Sequence, residues 1–453
     1  MPTDPSPRTG SAQTWRSTLW VWPVTAGGLA FLASLGLARV RPPEGSLLGS
    51  LWPGGTSSAS ALLEVTATSV MTATTIIFSL TVLALQLASQ QFSPRLLRRF
   101  ARDRVTKRVL SILVAAFAFS ITGLSGIEEG EPVPTLVVAG SLALAIASLA
   151  AILAFITHMV RVLRVDTMML EVHDDTERAI EAFYPVPGDE TVSGDDLAAE
   201  LDTADGEVIT ASRSGFVRMT DIEGLVDAAS RHDLLVRVDV RAGDEITRTS
   251  PLAYAWGGDR SPRRGRLGDD AREDVREAIA IGYERTIDQD TAFGFRQLED
   301  IAVKAISPAI NDPVTAAHAV GHMADLLVQV AQRRAGATVH FDDEGTARAI
   351  VPDRDLRYYL DLTCGQLRRF GSSEPSVLCA LLRALRDVGV ACRSDAQRDE
   401  VRRSADAVVA GMDGGLIEVD LASVRDHRER VERALDGDLA GAFIDRAGET
   451  RSM

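Results

Sequence analysis

The segment LLEVTATSVMTATTIIFSLTVLALQLA, Leu62–Ala88, decides how the rest of the chain is read. It is apolar enough to cross a bilayer, whose hydrocarbon takes about 20 residues of helix, yet polar side chains recur along it. Glu64, Thr68, Thr72, Thr75, Ser79, Gln86 and Gln90 follow one another at steps of 4, 4, 3, 4, 7 and 4. At about 100° per residue they fall within one helical sector of roughly 80°. Lipid cannot satisfy such groups, so the stripe faces protein or water. In one reading it lines a wet pathway, with Glu64 attracting cations at the outer mouth. In the other, Ser and Thr bond back to their own helix and the small side chains let other helices pack closely.

Three further segments have the length and composition of a span: Leu19–Ala38, Val109–Ile127 and Thr135–Val160. The first is either a retained span, with Trp15, Trp20 and Trp22 as an interfacial belt, or a signal peptide cleaved after small residues such as Ala38. Between the second and third spans lie Arg95, Arg98, Arg99, Arg102, Arg104, Lys107 and Arg108 against a single acid, Asp103. The loop between the third and fourth spans, Glu128-Glu129-Gly130-Glu131-Pro132, carries no positive charge. The positive-inside rule then puts the basic loop and both termini in the cytoplasm of a bacterial inner membrane, with Arg39 and Arg41 as outer-side exceptions. Arg95, Arg98, Arg99 and Arg102 suit anionic lipid headgroups. In the fourth span Ala139, Ala143, Ala147 and Ala151 recur every four residues, a small-residue face for another span or another subunit.

Whole-chain averages hide this division. The chain has 453 residues, 46% hydrophobic and 25% charged, with net charge −15. Residues 1–164 carry 13 Arg and Lys against 7 Asp and Glu, and the remainder 35 against 56. A carboxy-terminal part that acidic repels nucleic acid, and no basic and aromatic patch overrules the charge. Cys364, Cys379 and Cys392 form no CxxC spacing and read as buried reduced thiols.

Residues 165–205 read as a helix leaving the membrane and an acidic linker. In residues 206–285 short strands are expected at Phe216–Arg218 and Leu235–Val240, with a helix at Ile222–Ser230 between them. A turn at Ala242-Gly243-Asp244 and a strand ending at Ser250-Pro251-Leu252 complete a small β-sandwich-like module. No lysine lies there, which excludes a swinging-arm carrier. Residues 286–414 read as helical. Asp290 caps a helix running to about Ile306, Pro308 stops it, and Asp312-Pro313 opens the next with Asp at the N-cap and Pro at the first position. Asn311 lies in the turn between them, where it bridges backbone groups or adopts a left-handed conformation. Helices are expected at Asp353–Phe370, Pro375–Val388, Ser394–Gly411 and Ala422–Leu435, and a hairpin at Val339–Phe341 and Ala349–Val351. Residues 415–453 form a charged tail. The fold class is thus a four-span α-helical transmembrane domain followed by a cytoplasmic α+β domain.

Four blocks carry a family resemblance: IIFSLTVLALQLASQQFSPRLLRRFARDR from Ile76, SGFV from Ser214, ERTIDQDTAFGFRQLEDIA from Glu284 and KAISPAINDPVTA from Lys304. In them the chain resembles the bacterial membrane-protein family of domain of unknown function (DUF) 2254. The resemblance implies an amino-terminal membrane domain and a carboxy-terminal soluble domain, and implies no activity.

Candidate sites have two readings each. Arg285, Asp290, Arg296, Asp300, Lys304, Asn311 and Asp312, with Glu284, Asp288 and Glu299, are dense around the helix hairpin. They form either a cleft for an anionic ligand through Arg285, Arg296 and Lys304 or a web of caps and salt bridges. Lys304 is one of only two lysines in the chain, and Asn311 is its single asparagine. His318 and His322 have the spacing of two metal ligands on one helix face, but no third ligand is evident and no metal is assigned. No nucleophile triad, phosphate loop or dinucleotide fingerprint occurs, so no catalytic residue, cofactor or enzyme class is assigned. Two functions are expected. One is a homo-oligomeric channel-like or transport protein with a cytoplasmic regulatory domain. The other is a membrane-anchored sensor or scaffold whose helix hairpin binds a ligand or partner.

Overall fold

The computed structural model describes residues 20–40, 52, 54–91, 103–127, 132–162, 164–186, 192–257 and 267–444. The chain divides into two compact units, Met1–Thr167 and Met168–Met453.

The first unit holds four helices, each long and apolar enough to cross a membrane: α1 (Val21–Ala38), α2 (Thr56–Gln91), α3 (Arg104–Leu124) and α4 (Thr135–Val162). Asp103 caps α3, its carboxylate accepting from the backbone N–H of Val105 at 3.0 Å and of Thr106 at 2.9 Å. α3 packs against each of the other three. Small residues set the spacing. A Cβ on Gly27 of α1 would meet Val114 Cγ1 at 2.9 Å, and one on Gly140 of α4 would meet the Phe119 ring at 2.8 Å. The Ser34 hydroxyl donates to the Phe119 carbonyl at 2.9 Å, and the Ser120 and Ser141 hydroxyls pair at 2.8 Å, all buried. Two polar links inside an apolar bundle keep these hydroxyls satisfied and fix the helix register. Leu29, Phe31, Phe78, Ile146 and Leu153 remain exposed on the outside, as lipid-facing side chains do.

α5 (Val165–Phe183) starts at the end of the first unit and continues into the second, where it buries Met168, Met169, Val172, Thr176, Ala179 and Ile180 on one face. β1 (Val192–Ser193) and α6 (Asp195–Glu200) follow. Next come β2 (Glu207–Thr210), β3 (Gly215–Thr220), α7 (Ile222–Arg231), β4 (Leu234–Val238), β5 (Glu245–Ile246), β6 (Pro251–Gly257), α8 (Asp269–Glu277) and β7 (Ile279–Gly282). The remainder is α9 (Thr291–Ala305), α10 (Pro313–Gln332), β8 (Thr338–Phe341), β9 (Ala347–Val351), α11 (Leu356–Phe370), α12 (Pro375–Ala391), α13 (Asp395–Ala410), α14 (Glu418–Leu435) and α15 (Leu439–Ala442).

The strands make two small sheets. One has the order β1-β8-β9-β4-β6-β2, antiparallel except for the parallel pair β4–β9, and the other is β5-β3-β7. The strand expected to end at Leu252 instead starts at Pro251 and runs to Gly257, pairing with both β2 and β4. The reason is in its residues: Leu252, Ala253, Ala255 and Trp256 are buried and continue the apolar run past the proline. β4 is covered on both faces. Val236 and Val238 share a core with Ile209, Val217, Ile246 and Ala255, while Leu235 joins Trp256, Val339 and Ile350 on the other side. That double burial explains why β4 reads as a nearly continuous apolar run.

α12 is the centre of the helical part, packing on α10, α13 and α14, with Leu378, Leu381, Leu382 and Leu385 fully buried. α11 packs on α9 and α13. The three cysteines are free and buried, and burial pushes the Cys364 thiol up to about 12 and that of Cys392 up to about 11.

Candidate functional site

Within the first unit, α2 turns Leu63, Thr66, Ala67, Val70, Ile77 and Ala84 inward. Glu64, Thr68, Thr72, Thr75, Ser79 and Gln86 all lie on its exposed side. The stripe is therefore not buried by the other three helices, although its Glu64 end borders α3. Gln90 sits near the end of α2, and its side chain falls outside the described residues, as do Arg95, Arg98, Arg99 and Arg102. The Thr72 hydroxyl donates to the Thr68 carbonyl at 2.9 Å and that of Thr75 to the Met71 carbonyl at 3.1 Å. Back-bonding thus satisfies these two hydroxyls locally. It does nothing for the carboxylate of Glu64 or the amide of Gln86. Glu64, Ala67, Thr68 and Thr72 line a hollow of about 270 Å³ against Phe117 and Ile121 of α3. On α4, Ala151 is buried and Ala143 exposed, and the tight contacts are made instead by Gly140, Ser141 and Val137.

In the second unit the polar residues around the hairpin separate into groups. At the start of α9, Asp290 is 1% exposed and caps the helix by accepting from Phe293 N at 3.2 Å. Its Oδ2 accepts from Arg285 Nε at 2.8 Å and Nη2 at 2.6 Å. Arg354 Nη1 lies 3.7 Å from Oδ1, while that guanidinium also donates to the Ala242 carbonyl at 2.8 Å and to Asp244 Oδ1 at 3.0 Å. Gly243, at φ +89°, lets the β4–β5 turn pass against this carboxylate, where a Cβ would collide with it. Burial raises the Asp290 carboxyl above its usual range, opposed by Arg285 and Arg354. Sequence reading missed Arg354 and Asp244 because both are distant in the chain from α9.

One turn along α9, Arg296 Nη1 pairs with the buried Glu299 at 2.7 Å. Asp300 and Lys304, further along the same helix, are half-buried. At the far end Asp312 caps α10, accepting from Thr315 N at 3.0 Å and Thr315 Oγ1 at 2.6 Å, which hold its carboxyl below the usual range. Asn311 is exposed and left-handed at φ +51°, its N–H donating to the Ser307 carbonyl at 2.9 Å. α9 has 15 residues, so at about 1.5 Å per residue its two ends stand roughly 20 Å apart. Arg285 and Asn311 do not share a site.

A cavity of about 50 Å³, room for a few waters, is walled by Tyr184, Thr220, Arg241, Gln289, Arg334 and Asp353. Burial pushes the Asp353 carboxyl up to about 6, against the lowering influence of Arg354, Tyr184 and Arg241. The buried Tyr184 and Tyr359 hydroxyls pair at 2.6 Å, and burial raises both phenols well above their ordinary value. These groups could store or pass a proton, and nothing in their arrangement defines a reacting substrate.

Comparison with known proteins agrees with the architecture. The model of a family described as "Predicted membrane protein (DUF2254)" matches residues 16–387. An uncharacterised protein of Mycobacterium bovis and another of Mycobacterium tuberculosis are each 35% identical to this chain over 406 residues, covering 87% of it and 76% of their own length. No solved structure matches. With four apolar helices ahead of a unit of helices and small mixed sheets, and a family match over most of its length, the chain belongs to the DUF2254 family of membrane proteins.

Proposed function

We propose that the protein is an oligomeric channel-like or transport protein in which the α2 helices of several copies surround a polar path. The observation that carries this reading is the outward direction of the α2 stripe. A charged side chain costs about 2.5–3.5 kcal/mol at the bilayer centre even on lenient scales and less toward the interface, and a neighbouring copy or a water column removes whatever cost the outward polar groups carry. Glu64, beside its hollow, then sits at the mouth of the path and favours cations. By the positive-inside rule the basic loop after α2 and both termini are cytoplasmic in a bacterial inner membrane, which places the second unit where it can regulate the path.

The test is ion flux in liposomes holding the purified protein. Thr75→Leu should reduce flux at least about tenfold with oligomeric state unchanged, and Glu64→Gln should lower the preference for cations over anions. Flux that neither substitution alters, or its absence across several ions and potentials, overturns the reading. The second reading, a membrane-anchored sensor or scaffold, then takes its place. It is supported by the exposed tip of the α9–α10 hairpin, where Ile310, Asn311 and Val314 offer a contact surface.

A further inference from the structure

α5 and α10 bring metal-ligating side chains together, His322 of the His318/His322 pair among them. His173 and Glu177 stand four apart on α5, and His322 and Asp325 three apart on α10. Either spacing puts a pair on one helix face. His173 Nε2 lies 3.3 Å from Asp325 Oδ2. Ligand atoms of His173, Glu177 and Asp325 all fall within 4.8 Å of one another. The His322 ring meets the His173 ring edge-on, with centroids 5.2 Å apart. Gln329, one turn further along α10, donates through Nε2 to Glu177 Oε1 at 2.8 Å and to Asp325 Oδ2 at 3.3 Å.

Several features distinguish this group from an ordinary ion pair. Two carboxylates from different helices converge on one amide, and among the described residues no cationic side chain pairs with Glu177. A cation between them would remove that repulsion. His173 also keeps its other ring nitrogen, Nδ1, buried with no hydrogen-bond partner.

Bonds of about 2.0–2.2 Å at a tetrahedral centre place ligand atoms roughly 3.4 Å apart. The His173–Asp325 separation of 3.3 Å already matches this spacing. The other separations within the trio lie within 4.8 Å, and the Asp325 side chain is 60% exposed.

We propose that His173, Glu177 and Asp325, with His322 completing the set, bind one divalent first-row transition ion that ties α5 to α10. Two imidazoles and two carboxylates suit zinc, manganese or iron, and the absence of thiolate from the set disfavours soft ions. Gln329 acts as a positioning residue by holding both carboxylates toward the ion. The proposal is independent of whether α2 lines a pore.

The test uses the full chain in detergent, free of any histidine tag, stripped with chelator and titrated with Zn²⁺ and, separately, with Co²⁺. One ion should bind per chain, and Co²⁺ should give a visible absorption band. His173→Ala, Glu177→Gln and Asp325→Asn should each weaken binding by at least about tenfold and diminish the band, whereas His318→Ala should leave both unchanged. Zn²⁺ should raise the melting temperature of the unsubstituted protein and not that of Asp325→Asn. Melting of each variant in chelator shows whether it folds, and the near-isosteric Glu177→Gln and Asp325→Asn keep the test valid if His173→Ala does not. Failure to bind either ion stoichiometrically, or binding that survives in both near-isosteric variants, overturns the proposal.

Discussion

Asn311 is the single asparagine of the chain, and its backbone is left-handed at φ +51° between Asp312, which caps α10, and Ile310. That conformation costs most side chains about 1–2 kcal/mol, because Cβ crowds the following carbonyl, while glycine escapes the cost and asparagine largely does. Asn311→Gly should therefore leave the melting temperature nearly unchanged, and Asn311→Val should destabilise by about 1–2 kcal/mol. Thermal unfolding of the two variants checks this. Equal losses in both would mean that the asparagine side chain, and not its backbone, matters there. This residue was readable in advance because the Asp-Pro start after it and the proline stop before it are local signals. The partners of Asp290 were only half readable. Arg285 is five residues away, whereas Arg354 reaches the same carboxylate from the β9–α11 junction.

At the scale of elements, the α3–α4 contact depends on small residues whose importance differs from the pattern they make in sequence. Gly140 faces Phe119 with no room for a side chain, while Ala143, in the regular alanine series, is exposed. Gly140→Val should destabilise the membrane unit by about 1–3 kcal/mol through overpacking, measured as a lower melting temperature in detergent. Ala143→Val should be silent in that measurement. Were Ala143→Val instead to change the oligomeric state with melting preserved, the alanine series would be a surface between copies. The helix starts of α9, α10 and α13 follow the residues Asp290, Asp312 and Ser394, each of which accepts from a backbone N–H in the first turn. Capping acts within a few residues, so these starts were legible to within one position.

For the whole molecule, the six-stranded sheet gathers chain segments that lie far apart. β1 comes from the linker, β2, β4 and β6 from residues 206–285, and β8 and β9 from the midst of the helical part. β4 is central, with β9 on one edge and β6 on the other. A fragment of residues 206–285 would lose β9 and expose Leu235 and Trp256, which pack with Val339 and Ile350. It should therefore fail to fold alone. Absence of dispersed amide signals in a nuclear magnetic resonance spectrum would agree, and a well-dispersed spectrum would show that the module stands without its distant strands.

The sequence by itself determined the four long apolar helices, their charged flanks and the helix caps, and narrowed the Asn311 turn to two conformations, because apolar composition, capping and backbone strain depend on residues within a turn or a loop of one another. Only the tertiary structure decided which way the α2 stripe faces, since that depends on which side of the helix α3 and α4 cover. It also decided the parallel pairing of β4 with β9, and the meeting of His173 and Glu177 with His322 and Asp325. Glu177 and its partner Gln329 are 152 residues apart in the chain. Contacts of that range arise from how whole elements pack, and no local spacing encodes them.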